Sequence, residues 1–85
     1  MPDIDAYIQN LLQRKRSTRF KELQRLLFEV GFEMRQRKRG GSHYVFSHKE
    51  IDELIVLVTH GANDMLPEYQ VVKAIKALRQ LREKL

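Results

Sequence analysis

The sequence contains no cysteine. Disulfides, thiolate nucleophiles and cysteine-based zinc or iron–sulfur sites are therefore excluded. Long hydrophobic runs are also missing. The longest purely apolar stretch is Leu54–Val58, far short of the roughly 20 residues that cross a bilayer as a helix. The opening residues, Met1-Pro2-Asp3-Ile4-Asp5, are acidic where a signal peptide is basic. The expectation is a cytoplasmic protein without membrane contact. A chain of 85 residues has room for one domain, but not for a core and a large cofactor pocket together. No cofactor is expected. The hydrophobic fraction of 42% is that of a globular domain rather than a disordered tail.

Charge is present in excess and unevenly placed. The formal net charge is +5. Residues 1–13 sum to −2, residues 14–39 to +7, residues 40–72 to −4 and residues 73–85 to +4. Two basic blocks thus flank an acidic middle. Basic clusters attract polyanions through counterion release, which makes nucleic acid the first partner to consider. The same pattern also fits a solvated surface that binds nothing in particular.

Ile4, Ile8, Leu11 and Leu12 recur at helical spacing behind Asp3, a good N-cap residue. Arg14-Lys15-Arg16-Ser17 forms a short basic connection. Ser17 or Thr18 is placed to cap a second helix with Phe20, Leu23, Leu26, Leu27 and Val30 on one face. Gly31 sits where that helix needs a left-handed residue to end. Phe32–Gln36 reads as a strand, residues 37–42 as a glycine turn, and His43–His48 as a second strand. Lys49–Glu53 reads as a polar turn before a buried third strand, Leu54–Val58. His60–Asp64 is a loop. Pro67 opens a final helix, with Val71, Val72, Ile75, Leu78, Leu81 and Leu85 on its apolar face and Lys73, Lys76, Arg79 and Arg82 beside it.

The expected fold is α+β: a three-stranded antiparallel meander with helices on one face and the other face open. Its helix–three strands–helix portion has the order of double-stranded RNA-binding domains. An extra N-terminal helix precedes it, so residues 1–17 are set apart from a domain over 18–85.

His43 is the candidate for chemistry. RNA carries its own nucleophile, the 2′-hydroxyl, and cleavage requires a proton to leave that oxygen while charge on the phosphate is stabilised. A histidine does the first and Lys or Arg the second. His43 follows Arg37-Lys38-Arg39 across Gly40-Gly41-Ser42, and glycine lets backbone approach a phosphate closely. The plain alternative is a partly exposed strand residue. Alternation puts Tyr44, Phe46 and His48 on one face and His43, Val45 and Ser47 on the other. If the aromatics face the helices, His43 faces the open side. The odd spacing of His43 and His48 sends them to opposite faces, which argues against a metal site. Ser42 and His43 point apart, so a Ser-His-Asp triad is not expected. His60 reads as a loop residue. Lys73 and Lys76 fit phosphate contacts from the last helix, and equally a solvated face.

Lys21-Glu22-Leu23, Leu27, Gly31-Phe32 and then Gly41-Ser42-His43, followed by Tyr44-Val45-Phe46, His48 and His60-Gly61, resemble in order the motifs of the HicA family of mRNA interferase toxins. The resemblance covers about residues 18–81 and leaves the N-terminal helix outside it. It implies a double-stranded-RNA-binding-like fold and an endonuclease (a ribonuclease, hence a hydrolase) that cleaves messenger RNA. It also implies inhibition by a cognate HicB-like antitoxin, with a homo-oligomer formed through that antitoxin a possibility. It places the catalytic histidine at His43. RNA contacts are then expected from Arg37, Lys38, Arg39, Gly41, Ser42, Lys73 and Lys76. The other reading is a non-catalytic RNA-binding module of the same fold.

Overall fold

The computed structural model describes residues 3–36 and 42–85. Three helices, α1 (Ile4–Gln13), α2 (Phe20–Glu29) and α3 (Glu68–Lys84), accompany three strands, β1 (Glu33–Gln36), β2 (His43–His48) and β3 (Ile51–Val58). The strands form one antiparallel sheet in the order β1-β2-β3. This is the expected α+β architecture, and its α2-β1-β2-β3-α3 portion has the double-stranded-RNA-binding arrangement.

The helices cover one sheet face. Phe20 and Phe28 of α2 lie against Phe46 of β2, with ring centroids 6.4 and 6.0 Å apart, and Phe20 stands 5.0 Å from Tyr44. Leu23, Leu27, Ile55, Leu57, Val71 and Leu78 are fully buried between the layers. Burial of such side chains supplies the main driving force of folding. The α1 stripe of Ile4, Ile8 and Leu11 is buried in the same core, with α1 against α3. Arg82 of α3 reaches Asp5 at 2.7 Å, and the Tyr7 hydroxyl donates to Glu29 of α2. The N-terminal helix is therefore built into the core of the domain.

Several local expectations hold. Asp3 caps α1 through the Ala6 N–H at 3.1 Å. Gly31 ends α2 with φ at +101°. A Cβ at Gly31 would stand 3.0 Å from the His48 Nε2, so the position excludes side chains on two counts.

Other expectations are corrected. Neither Ser17 nor Thr18 caps α2. Thr18 instead donates its hydroxyl to the Arg14 carbonyl at 2.6 Å, closing the end of α1. Helix α2 starts one residue later, with Arg19 as its cap residue and the Glu22 carboxylate accepting the Arg19 N–H at 3.1 Å. The turn after β2 is only Lys49-Glu50, and β3 begins at Ile51. A register irregularity between Phe46 and His48 lets Asp52 and Glu53 lie within the strand. Strand β3 is also an edge strand rather than one buried on both faces: Ile55 and Leu57 are fully buried, whereas Leu54 is 54% exposed. On α3, Val72 and Leu85 are exposed, and the buried face recruits Gln70, Ala74 and Ala77 in their place.

Candidate active site

The pairing register decides what surrounds His43. His43 is opposite Val58, and Val45 lies between Arg35 of β1 and Val56 of β3. Tyr44 and Phe46 turn toward the helices, as the ring contacts show. His43, Val45 and Ser47 therefore turn to the uncovered face. His43 is exposed there, at the first position of β2. Met34 packs against the core, so Arg35 emerges on the same uncovered face as His43, diagonally across from it. Sequence reading missed Arg35. Its strand is four residues long, and only the cross-strand register tells which of its side chains share the face with His43.

The ladder continues past the strand end, where the Thr59 N–H donates to the Ser42 carbonyl at 2.9 Å. This bond ties the Gly-Ser-His segment to the loop after β3. The loop is held tightly. The Asp64 carboxylate accepts the His60 N–H at 2.9 Å, and the Thr59 hydroxyl donates to the Gly61 carbonyl at 2.6 Å. The start of α2 docks on the same loop. Its first free amides, Phe20 and Lys21, donate to the Asp64 and Ala62 carbonyls, each at 2.9 Å, and the Arg19 guanidinium donates to the Asn63 carbonyl at 2.6 Å. The α2 N-terminus is thus occupied by backbone carbonyls. What it offers a polyanion is the cationic side chains of Arg19 and Lys21, both exposed.

The three histidines have distinct environments. His48 faces the helices: its ring meets Phe32 edge-on with centroids 5.1 Å apart. Its Nδ1 accepts the Glu50 N–H at 3.0 Å, which leaves Nε2 to carry the proton and donate to the Val30 carbonyl at 3.1 Å. Both nitrogens are committed to backbone, and His48 clamps the Lys49-Glu50 turn to the end of α2. His43 and His60 are exposed.

The expected RNA-contact residues divide into three groups. Arg37, Lys38, Arg39 and Gly41 lie outside the described residues. Ser42 is half-buried and its carbonyl is used in the ladder. Lys73 and Lys76 are exposed on α3, in the layer behind the sheet and away from the face that carries His43. Lys73 stands 5.9 Å over the Tyr69 ring. The basic residues of α3 do not form one line, because three residues advance a helix by about 300°, a lag of about 60° at each step. Arg82 accordingly ends on the far side, paired with Asp5.

Among the described residues no three His, Asp or Glu side chains converge as metal ligands, and no helix is long and apolar enough to cross a membrane.

The family model described as HicA toxin of bacterial toxin–antitoxin matches residues 20–81. The chain belongs to the HicA toxin family. It is a toxin of the toxin–antitoxin type, for which the family implies an antitoxin partner. No curated protein and no solved structure was found to match. The HicA match takes in α2, the sheet and most of α3, with His43, His60 and Arg35 inside it and α1 outside.

Proposed function

We propose that this HicA-family chain is an endoribonuclease that cleaves messenger RNA in the cytoplasm without a metal, with His43 as its acid–base group. The observation that carries this reading is the placement of His43, exposed on the uncovered sheet face and diagonal to Arg35. An imidazole is suited to take the proton of a 2′-hydroxyl near neutral pH. A guanidinium on the same face is suited to hold the phosphate and stabilise charge as it develops. Arg37, Lys38, Arg39, Gly41 and Ser42 precede His43 in the chain and extend the phosphate-binding surface. Lys73 and Lys76 take a longer RNA around the edge of the sheet.

The partner is a HicB-like antitoxin that covers the uncovered face and presents acidic side chains to the cations around His43. Charge complementarity of that kind speeds encounter and lends specificity.

Incubating the purified toxin with end-labelled single-stranded RNA in excess chelator tests the activity. The expected result is fragments, and none from a DNA strand of the same sequence, which lacks the 2′-hydroxyl. Binding without fragments would favour the non-catalytic RNA-binding module.

A further inference from the structure

We infer that His60 is the second catalytic residue of this site: the general acid that protonates the leaving 5′-oxygen while His43 takes the proton of the 2′-hydroxyl. The inference rests on the ribonuclease reading and adds to it a second group with a separate task.

The need for such a group comes from the chemistry. When the 2′-oxygen attacks phosphorus, the bond from phosphorus to the 5′-oxygen must break. An alkoxide is too basic to leave at neutral pH unless a proton reaches it. A base that has just taken the 2′-proton lies on the attacking side of phosphorus. In an in-line displacement the leaving oxygen is on the opposite side, so a second donor answers the geometry better than one histidine in both roles.

The fold supplies one candidate. Leu57 and Thr59 are buried, so Val58 takes the alternate side at the end of β3, and His60, two residues on in the loop, is exposed. Val58 is the cross-strand partner of His43, and the Thr59 N–H bonds the Ser42 carbonyl, which sets His60, just past the end of β3, at the same end of the sheet as His43. Were the ladder continued past the end of β3, the two residues would stand at its diagonal spacing of about 7–8 Å, a span that admits one phosphate between two imidazoles. His43 thus has a cation on one side and a second imidazole on the other. The remaining histidine, His48, lies on the helix side with both ring nitrogens bonded to backbone.

The loop is built to hold His60 in place while leaving its ring exposed. The Asp64 carboxylate bonds the His60 backbone N–H, the Thr59 N–H bonds Ser42 next to His43, and α2 is docked behind. Among the described residues, Arg19 and Lys21 of α2 are bonded to this loop, through the Arg19 guanidinium and the Lys21 backbone N–H, and Asp64 lies within it. A structural histidine would be expected to use its ring to hold the loop. Here, among the described residues, backbone, Thr59 and Asp64 do that.

The step balances as follows. The 2′-hydroxyl proton passes to neutral His43 and the 2′-oxygen bonds phosphorus. The bond from phosphorus to the 5′-oxygen breaks, and protonated His60 gives its proton to that oxygen. The products are a 2′,3′-cyclic phosphate and a free 5′-hydroxyl. His43 is left protonated and His60 neutral, and exchange with water resets both.

The test uses full-length toxin and a short RNA whose cleavage site has been mapped. A second RNA carries sulfur in place of the bridging 5′-oxygen at that site, since a thiolate leaves without a proton. His60→Gln is expected to cut ordinary RNA about 10²–10⁴-fold more slowly than the unaltered toxin, yet to cut the sulfur-bridged RNA nearly as fast. His43→Gln should be slow on both. If His60→Gln matches the unaltered toxin on ordinary RNA, or is equally slow on both substrates, His60 is not the acid, while the ribonuclease reading stands. If no cleavage site can be mapped because the unaltered toxin cuts no RNA, that reading fails and this inference with it. His60→Asn repeats the comparison should the glutamine variant melt early.

Discussion

The side-chain carbonyl of Gln70, buried at the start of α3, accepts the backbone N–H of Val58 at 3.1 Å. Val58 is the partner of His43 across the ladder and an edge-strand residue. Its N–H points away from β2, and among the described residues no strand lies beyond to pair it. Gln70 closes that position and ties the last residue of β3 to the helix behind the sheet. Replacing it by Met fills similar volume but leaves the amide unpaired, at a cost of about 1 kcal/mol. For a domain of this size that lowers the melting temperature by about 4–8 °C. Amide exchange at Val58 should accelerate more than exchange at Leu57. Equal protection in both proteins would show that the bond does not hold the strand end.

His43 and His48 should respond oppositely to truncation. His43 is exposed, so His43→Ala should keep the melting temperature and antitoxin binding while cleavage falls about 10²–10⁴-fold. His48→Ala leaves the Val30 carbonyl and the Glu50 N–H without their partner, so it should cost about 1–3 kcal/mol with cleavage retained below the melting point. Near-normal cleavage by His43→Ala would remove it from the mechanism.

These two histidines also show how far the sequence could be read. Strict alternation from His43 to His48, with two aromatics on one side, was enough to place the two on opposite faces. The uncovered face followed from the order of elements. The start of β3 was hidden, because Asp52 and Glu53 interrupt the apolar run and the irregularity opposite Ser47 has no signature of its own. Arg35 was hidden for another reason: it joins the face of His43 only through its register with Val45, a residue ten positions further along the chain. The α2 cap was misplaced because the Thr18 hydroxyl is taken by the preceding helix, a competition that local sequence does not reveal.

RNA binding should be dominated by charge. If about three to five phosphates are neutralised, log affinity should fall against log salt with a slope near −2 to −4. Changing Arg37, Lys38 and Arg39 together to Ala should flatten the slope, and adding Arg35→Ala should flatten it further. An unchanged slope in both variants would move the RNA path to α3, where Lys73→Ala and Lys76→Ala would then carry the effect.

Glu22 supplies a small pH-dependent contribution to stability. A hydrogen bond from the Arg14 guanidinium, at 2.7 Å, and then the Arg19 backbone N–H hold its carboxyl below the usual carboxylate range. A lowered folded value means that the stabilisation is complete above the unfolded value of about 4.3. It is lost as pH falls through the folded value. Both partners are about two-fifths exposed, so solvent screening limits the pair to about 0.5 kcal/mol. Glu22→Gln should therefore melt about 2–4 °C lower at neutral pH and match the unaltered protein in strong acid. A difference that persists unchanged at low pH would mean that the variant acts through the α2 cap instead.

The last prediction separates the N-terminal helix from toxin action. Helix α1 lies outside the matched family region, yet Ile4, Ile8 and Leu11 are buried against the core, and Arg82 pairs with Asp5 across the α1–α3 contact. The uncovered sheet face is on the far side of the molecule from this contact, because the helices occupy one side of the sheet. Weakened α1 packing should therefore destabilise the toxin without altering the surface that the folded protein offers to RNA or antitoxin. Leu11→Ala is expected to cost about 2–5 kcal/mol, and deletion of residues 1–13 more, since it exposes a whole apolar face of α3. Antitoxin affinity, measured below the melting temperature of Leu11→Ala, should stay within experimental error of the unaltered value. A variant that keeps its melting temperature but loses the antitoxin would reverse the assignment and make α1 part of the partner's interface.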